Sequence, residues 1–260
     1  MTANAKTLAH SQTLIIELVE AIIHQVEAPL EVAKLEGDAI FLFCRQPQDP
    51  ARWQEIRAEI SRKLLEFFEC FREKLAELGS SNVCTCHACT HLEKLRLKVI
   101  VHSGMVLFHR VLRFNELAGT DVIIVHRLLK NSVPATQYLL LTEAARRELD
   151  FPETISFKTG CEVYDNLGRI PIAVHDFGEV VSSARAAHRS TFATRYRESL
   201  RLNLQLWFAS LGNRKQFQNL PTVSSRLGQV AFAALTILLT PIFLPLTAVL
   251  IIFHTLNRAK

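Results

Sequence analysis

The chain has 260 residues, 49% of them hydrophobic and 21% charged, with a formal net charge of +5. That is room for one domain of ordinary size plus an appendage. Residues 1–178 carry 20 Lys+Arg against 23 Asp+Glu, and residues 179–260 carry 10 against 2. The basic balance therefore belongs to the tail, which argues against a nucleic-acid footprint on the folded part and for membrane lipid near the tail. MTANAKTLAH has no long apolar core, so no secretory signal is expected and the six cysteines should be reduced thiols.

In chain order, Leu14, Leu18 and Ile22, beside Ile15, Val19, Ile23 and Val26, form two adjacent i,i+4 rows. They predict a helix over 11–27, with Ser11 as its cap and Pro29 ending it. Leu30–Lys34 and Ala39–Cys44 read as strands around Glu36-Gly37-Asp38, with Asp38 at the turn. Asp49-Pro50 starts a long helix, since Asp caps and Pro fits the first helical position. Trp53, Ile56, Ile60, Leu64, Phe67, Phe71, Leu75 and Leu78 keep helical spacing to Gly79, while Arg57, Glu59, Arg62, Lys63 and Glu66 predict a solvated charged face.

Leu95, Leu97, Val99 and Val101 alternate with polar residues, and Ser103-Gly104 separates them from an apolar run, Val106–Phe114. This reads as a hairpin. Asp121 is expected to cap the helix that follows Gly119. Tyr138–Leu141 is a short strand, Thr142 caps the helix EAARREL, and 154–164 with 170–177 make a last hairpin about Asn166-Leu167-Gly168. Strands interleaved with helices give an α+β fold with helices on one face of a sheet.

From Glu179 the composition changes. Arg185, Arg189, Arg195, Arg197 and Arg201 lead along an expected helix to LNLQLWF, and Val230–Phe253 then carries no charge. About 20 apolar residues cross a bilayer, so 230–253 is a candidate span, either single and kinked at Pro241 and Pro245 or a re-entrant hairpin. The expected organisation is a folded domain over 1–178, a basic juxtamembrane segment over 179–225 and a membrane anchor over 226–260. The basic residues before the span put the folded domain in the cytoplasm.

The central stretch resembles the class III nucleotide cyclases. LKVIVHSG (97–104) stands for their R-x-G-I-H-x-G strand, GTDVIIVHRL (119–128) for G-x-x-V-N-x-A-x-R-L, and KLEGDAIFLF (34–43) for the hairpin with Gly-Asp at its turn. With CTCHAC (84–89) and HRLLKN (126–131), the chain resembles more narrowly an uncharacterised bacterial family of cyclase-related proteins. The resemblance implies a ferredoxin-like sheet, a homodimer and a purine nucleotide held with magnesium or manganese. It places Asp38 as a metal-binding carboxylate, Arg127 as the transition-state arginine and Glu116 at the purine-reading position. Ile123 stands where the family has its ribose-orienting Asn. The other metal-binding Asp, on an opening strand before the first helix, has no counterpart here.

Cys84-x-Cys86-x2-Cys89 is the sharper chemical signal. Soft thiolates converging from one short loop suit zinc or an iron–sulfur cluster. A closed zinc site needs a fourth donor, for which His87, His91 and Cys70 are the expected candidates. Cys44 and Cys161 read as core residues in strands. The function expected from all this is a membrane-anchored, catalytically degenerate cyclase-like domain with a regulatory role. An active cyclase with a mis-assigned start, or a zinc-dependent regulatory module, are the alternatives.

Overall fold

A computed structural model of the chain describes residues 3–82, 84–178 and 192–210, and positions 245 and 249. The rest of the candidate span 230–253, together with Arg185 and Arg189, lies outside the described residues. Among the described residues no helix is long and apolar enough to cross a membrane. The fold is a mixture of α and β, and the chain divides into two compact units that interleave in sequence.

The first unit takes residues 1–20, 72–95 and 182–260. Its described elements are the start of α1 (Ala3–Ile23), the end of α2 (Pro50–Ser81), a one-turn helix α3 (His87–Thr90), a 3-10 turn at Leu92–Lys94, and α6 (Phe192–Ser210). α1 begins well before Ser11. Ser11 lies inside the helix, its hydroxyl donating to the Leu8 carbonyl at 2.9 Å. Nothing in Ala3–His10 breaks a helix, and an interior Ser back-bonded in this way is tolerated.

On α6, Ser199, Leu202, Asn203 and Leu206 recur at helical spacing and are all buried. The Ser199 hydroxyl and the Asn203 amide both donate to the Ser81 carbonyl at 2.9 Å, satisfying an end group of α2. Arg201, part of the basic stretch before the tail, sets its two terminal guanidinium nitrogens on the Glu17 carboxylate at 2.8 Å. The end of Lys74 stands 3.2 Å from the same carboxylate.

The second unit takes residues 21–71 and 96–181 and holds all the described strands. β1 (Glu31–Glu36) and β2 (Ala39–Phe43) form a hairpin by themselves, with a bulge between Val32 and Lys34. Four strands make the main sheet in the order β3 (Lys98–Val101), β6 (Tyr138–Thr142), β8 (Gly168–Asp176), β7 (Lys158–Tyr164). β3 runs parallel to β6, and the other pairings are antiparallel. Tyr138 and Leu140 point into a core with Leu128, Ile170 and Ile172, while Leu139 and Leu141, on the opposite face, are equally excluded from solvent. The unbroken apolar run of β6 is thus covered on both faces rather than on one.

The central hairpin differs from expectation. β3 does not pair with the run after Gly104; β4 (Leu107–Val111) pairs with β5 (Phe114–Ala118), and the turn falls at Leu112-Arg113. The reason lies at Asp121. Its carboxylate takes the Met105 N–H at 2.7 Å and the His102 Nε2 at 2.8 Å, pinning the segment after β3 to the start of α4 (Thr120–Leu128). Gly104 lies so close that a Cβ would stand 2.3 Å from the Asp121 Cγ. The glycine serves a close approach and not a hairpin turn. Asp121 therefore does accept a backbone N–H, but Met105's; α4 has Gly119 at its N-cap with no side-chain cap.

Thr142 does cap α5 (Glu143–Glu148), accepting the Ala145 N–H, and its hydroxyl also meets His102 Nδ1 at 2.9 Å. The hydrogen bond from His102 holds the Asp121 carboxyl below its usual range, against a smaller upward push from burial. The charged face of α2 is not wholly solvated. Lys63 is 4% exposed and meets the Gln25 carbonyl, and Arg57 reaches Glu148, which also accepts from the Trp53 indole. Cys161 is exposed on β7, not core, and Cys44 is half-buried with its thiol toward the Arg45 carbonyl.

Candidate metal centre

α1 carries His10 two turns before Glu17, and the loop that follows α2 carries the three cysteines. Asn82 shapes that loop: its Oδ1 accepts the Cys84 N–H at 2.8 Å and its Nδ2 reaches the Cys89 carbonyl at 3.5 Å. Cys86 is the N-cap residue of α3, which turns Cys89 inward beside the buried Leu92. The thiols of Cys84, Cys86 and Cys89 then converge on one imidazole nitrogen. His10 Nδ1 stands 3.4 Å from the Cys84 sulfur, 3.4 Å from Cys86 and 3.6 Å from Cys89. All four donor atoms lie within 4.8 Å of one another.

His10 itself is 2% exposed, and its other nitrogen, Nε2, is 2.8 Å from the Leu206 carbonyl. A carbonyl only accepts, so Nε2 carries the proton and the neutral ring turns the Nδ1 lone pair toward the sulfurs. That lone pair can take one thiol hydrogen, not three. Hydrogen bonding alone does not account for the cluster. A tetrahedral zinc ion does: bonds of about 2.0 Å to nitrogen and about 2.3 Å to sulfur space those ligands roughly 3.5 Å apart. The donor set, three soft thiolates and one imidazole, is that of a structural zinc centre and is compatible with zinc.

The thiols are not equivalent. Burial raises the pKa of Cys86, but the N–H groups of Cys89 and Ala88 and the neighbouring thiols outweigh it and bring it below the ordinary value. Burial pushes the Cys89 thiol far up, and Cys84 and Cys86 add to the shift. A cation would supply the missing charge, since metal binding requires and promotes loss of those protons.

The expected fourth donors lie elsewhere. His87 and His91 stack on each other with centroids 4.0 Å apart, and His91 Nδ1 meets the His87 carbonyl at 2.9 Å. Cys70 donates to the Ala21 carbonyl at 3.3 Å. The residues carried over from cyclases are dispersed. Asp38 is exposed at the turn between β1 and β2, Glu116 sits in β5 opposite His109, and Arg127 is exposed on α4, where the neighbouring Ile123 is 52% exposed. Among the described residues no hydrogen bond or ion pair joins the three, and none of them lines the cavity of about 250 Å³ between Phe43, Arg45, Val106 and Phe108.

A family model described as "Protein of unknown function (DUF2652)" matches residues 15–138, a span that includes the three cysteines but neither His10 nor α6. The chain is 33% identical over 134 residues to "Uncharacterized protein Rv2561/Rv2562" of Mycobacterium tuberculosis, covering 52% of this chain and 59% of that one. It thus spans little more than half the length of that curated relative. A solved structure of a bacterial light-regulated adenylyl cyclase superposes with a TM-score of 0.43 and 15% identity, covering 79% of this chain and 52% of the other.

Proposed function

We propose that this protein is a zinc-dependent regulatory module that uses a cyclase-like α+β scaffold without its catalysis and works at a membrane. The observation that carries the zinc reading is the approach of three sulfurs to one imidazole nitrogen at 3.4, 3.4 and 3.6 Å. The site is closed: His10 and Cys89 are buried, and four donors complete a tetrahedron, which leaves no open position for substrate. Its role is therefore to hold the first unit together rather than to activate a reactant.

The non-catalytic reading rests on the site residues. Asp38 is exposed at a turn, and among the described residues it belongs to no cluster of metal-ligating side chains. Ile123, which cannot hydrogen-bond a ribose, stands at the family's Asn position. The membrane reading rests on the uncharged run 230–253 and the basic residues before it, with the folded units on the cytoplasmic side.

The purified full chain is expected to hold roughly one zinc per polypeptide by elemental analysis, and Cys86→Ser to lose it. Substoichiometric metal that Cys86→Ser leaves unchanged would refute the zinc reading. For the membrane, the protein is expected to stay in the pellet after a carbonate wash and to be released by deleting 226–260. Recovery of the full chain in the soluble fraction would refute that part.

A further inference from the structure

We propose that the metal centre is a clasp on α6: zinc occupancy fixes the C-terminal half of that helix, and displacement of the helix in turn weakens zinc binding. This rests on the zinc reading above and adds to it a direction of control. The connection is the His10 ring, which faces the three sulfurs through Nδ1 and the Leu206 carbonyl of α6 through Nε2. Metal-bound imidazoles are oriented by the acceptor on their second nitrogen, and coordination makes that N–H a stronger donor. Here the acceptor is not a side chain of the loop but the backbone of a helix distant in sequence. The ligand set and the position of α6 are thereby one equilibrium.

Without the ion, the buried imidazole meets three thiols with a single lone pair and can turn or change tautomer. The Leu206 carbonyl then loses its partner on α1. Other bonds of α6 lie about one turn earlier: the Arg201–Glu17 fork, and the bonds from Ser199 and Asn203 to the Ser81 carbonyl. The His10 bond is made at Leu206, so loosening on its loss should centre there, toward the end of the helix. Linkage requires the reverse as well: whatever pulls α6 away lowers zinc affinity by the same factor.

The test is hydrogen exchange on the full chain, with zinc bound and after stripping with a chelator. Amides of α6 beyond Asn203 are expected to lose at least about tenfold protection on stripping. His10→Cys supplies a fourth sulfur, so it should retain zinc yet exchange at those amides at the stripped rate. In a second arm, Ser199→Ala combined with Asn203→Ala weakens the seat of α6 without touching a ligand. It should lower zinc affinity by about 10-fold through the linked equilibrium. Zinc that binds stoichiometrically with α6 exchange unchanged by stripping would overturn the clasp and leave the zinc reading intact. Equal protection in zinc-loaded wild type and His10→Cys, or unchanged affinity in the double variant, would also overturn it. Absence of bound zinc would sink the reading on which it stands.

Discussion

Arg201→Met is expected to destabilise the folded chain by about 3 kcal/mol at neutral pH, the scale of breaking a buried ion pair. Glu17 is 6% exposed, and its carboxylate receives both nitrogens of the Arg201 fork with Lys74 at 3.2 Å. Burial alone would raise the Glu17 pKa. The hydrogen bond and charge of Arg201, then Lys74, outweigh it and bring the value from 4.5 down to about 2. That shift corresponds to roughly 3 kcal/mol, present above the unfolded value and lost as pH falls from about 4.5 through about 2. Arg201→Met should leave Lys74 as the remaining partner against burial, so that the Glu17 pKa rises and the deficit relative to wild type narrows on acidification. Urea denaturation of both proteins at several pH values measures this. A difference below about 0.5 kcal/mol at pH 7, or one independent of pH, would contradict the arrangement.

With ATP or GTP, and with magnesium or manganese, the chain is expected to form no cyclic nucleotide above background. The deficiency is in positioning and charge together. Two divalent ions lean on shared carboxylates, and among the described residues Asp38 belongs to no cluster of ligating side chains. Ile123 removes the group that would orient the ribose. Losing a single electrostatic donor commonly costs about 10²–10³ in rate, and here more than one kind of support is gone. Ile123→Asn should therefore not restore turnover by itself. Sustained product formation by the unmodified chain, abolished by Asp38→Ala or Arg127→Ala, would overturn the non-catalytic reading.

Much of the fold was legible where local rules and packing agree. Asp49-Pro50, the apolar spacing to Leu78, the Thr142 cap and the β7–β8 hairpin each carry a near-neighbour signal that tertiary structure does not oppose. The central hairpin was not legible because Gly104 signals a turn and a close contact in the same way. Only the fold brings Asp121 against it.

The candidate metal centre divides along the same line. Cys84, Cys86 and Cys89 announce themselves by spacing, whereas His10 lies 74 positions before the first of them and no local pattern joins them. A signal did exist. His10 stands one turn before Leu14 in the row that continues through Leu18 and Ile22, a polar residue extending a buried stripe. With the helix expected only from Ser11, His10 falls outside that row, and the expected fourth donors are His87, His91 and Cys70.

His10, Cys84, Cys86 and Cys89 are proposed to hold one zinc ion. Zinc-edge X-ray absorption on the metal-loaded full chain tests it most directly, because it counts ligand types and distances. The expected shell is three sulfurs at about 2.3 Å and one nitrogen at about 2.0 Å, with the imidazole signature lost in His10→Cys and a fourth sulfur in its place. A shell dominated by oxygen and nitrogen, or an imidazole signature that survives His10→Cys, would contradict it.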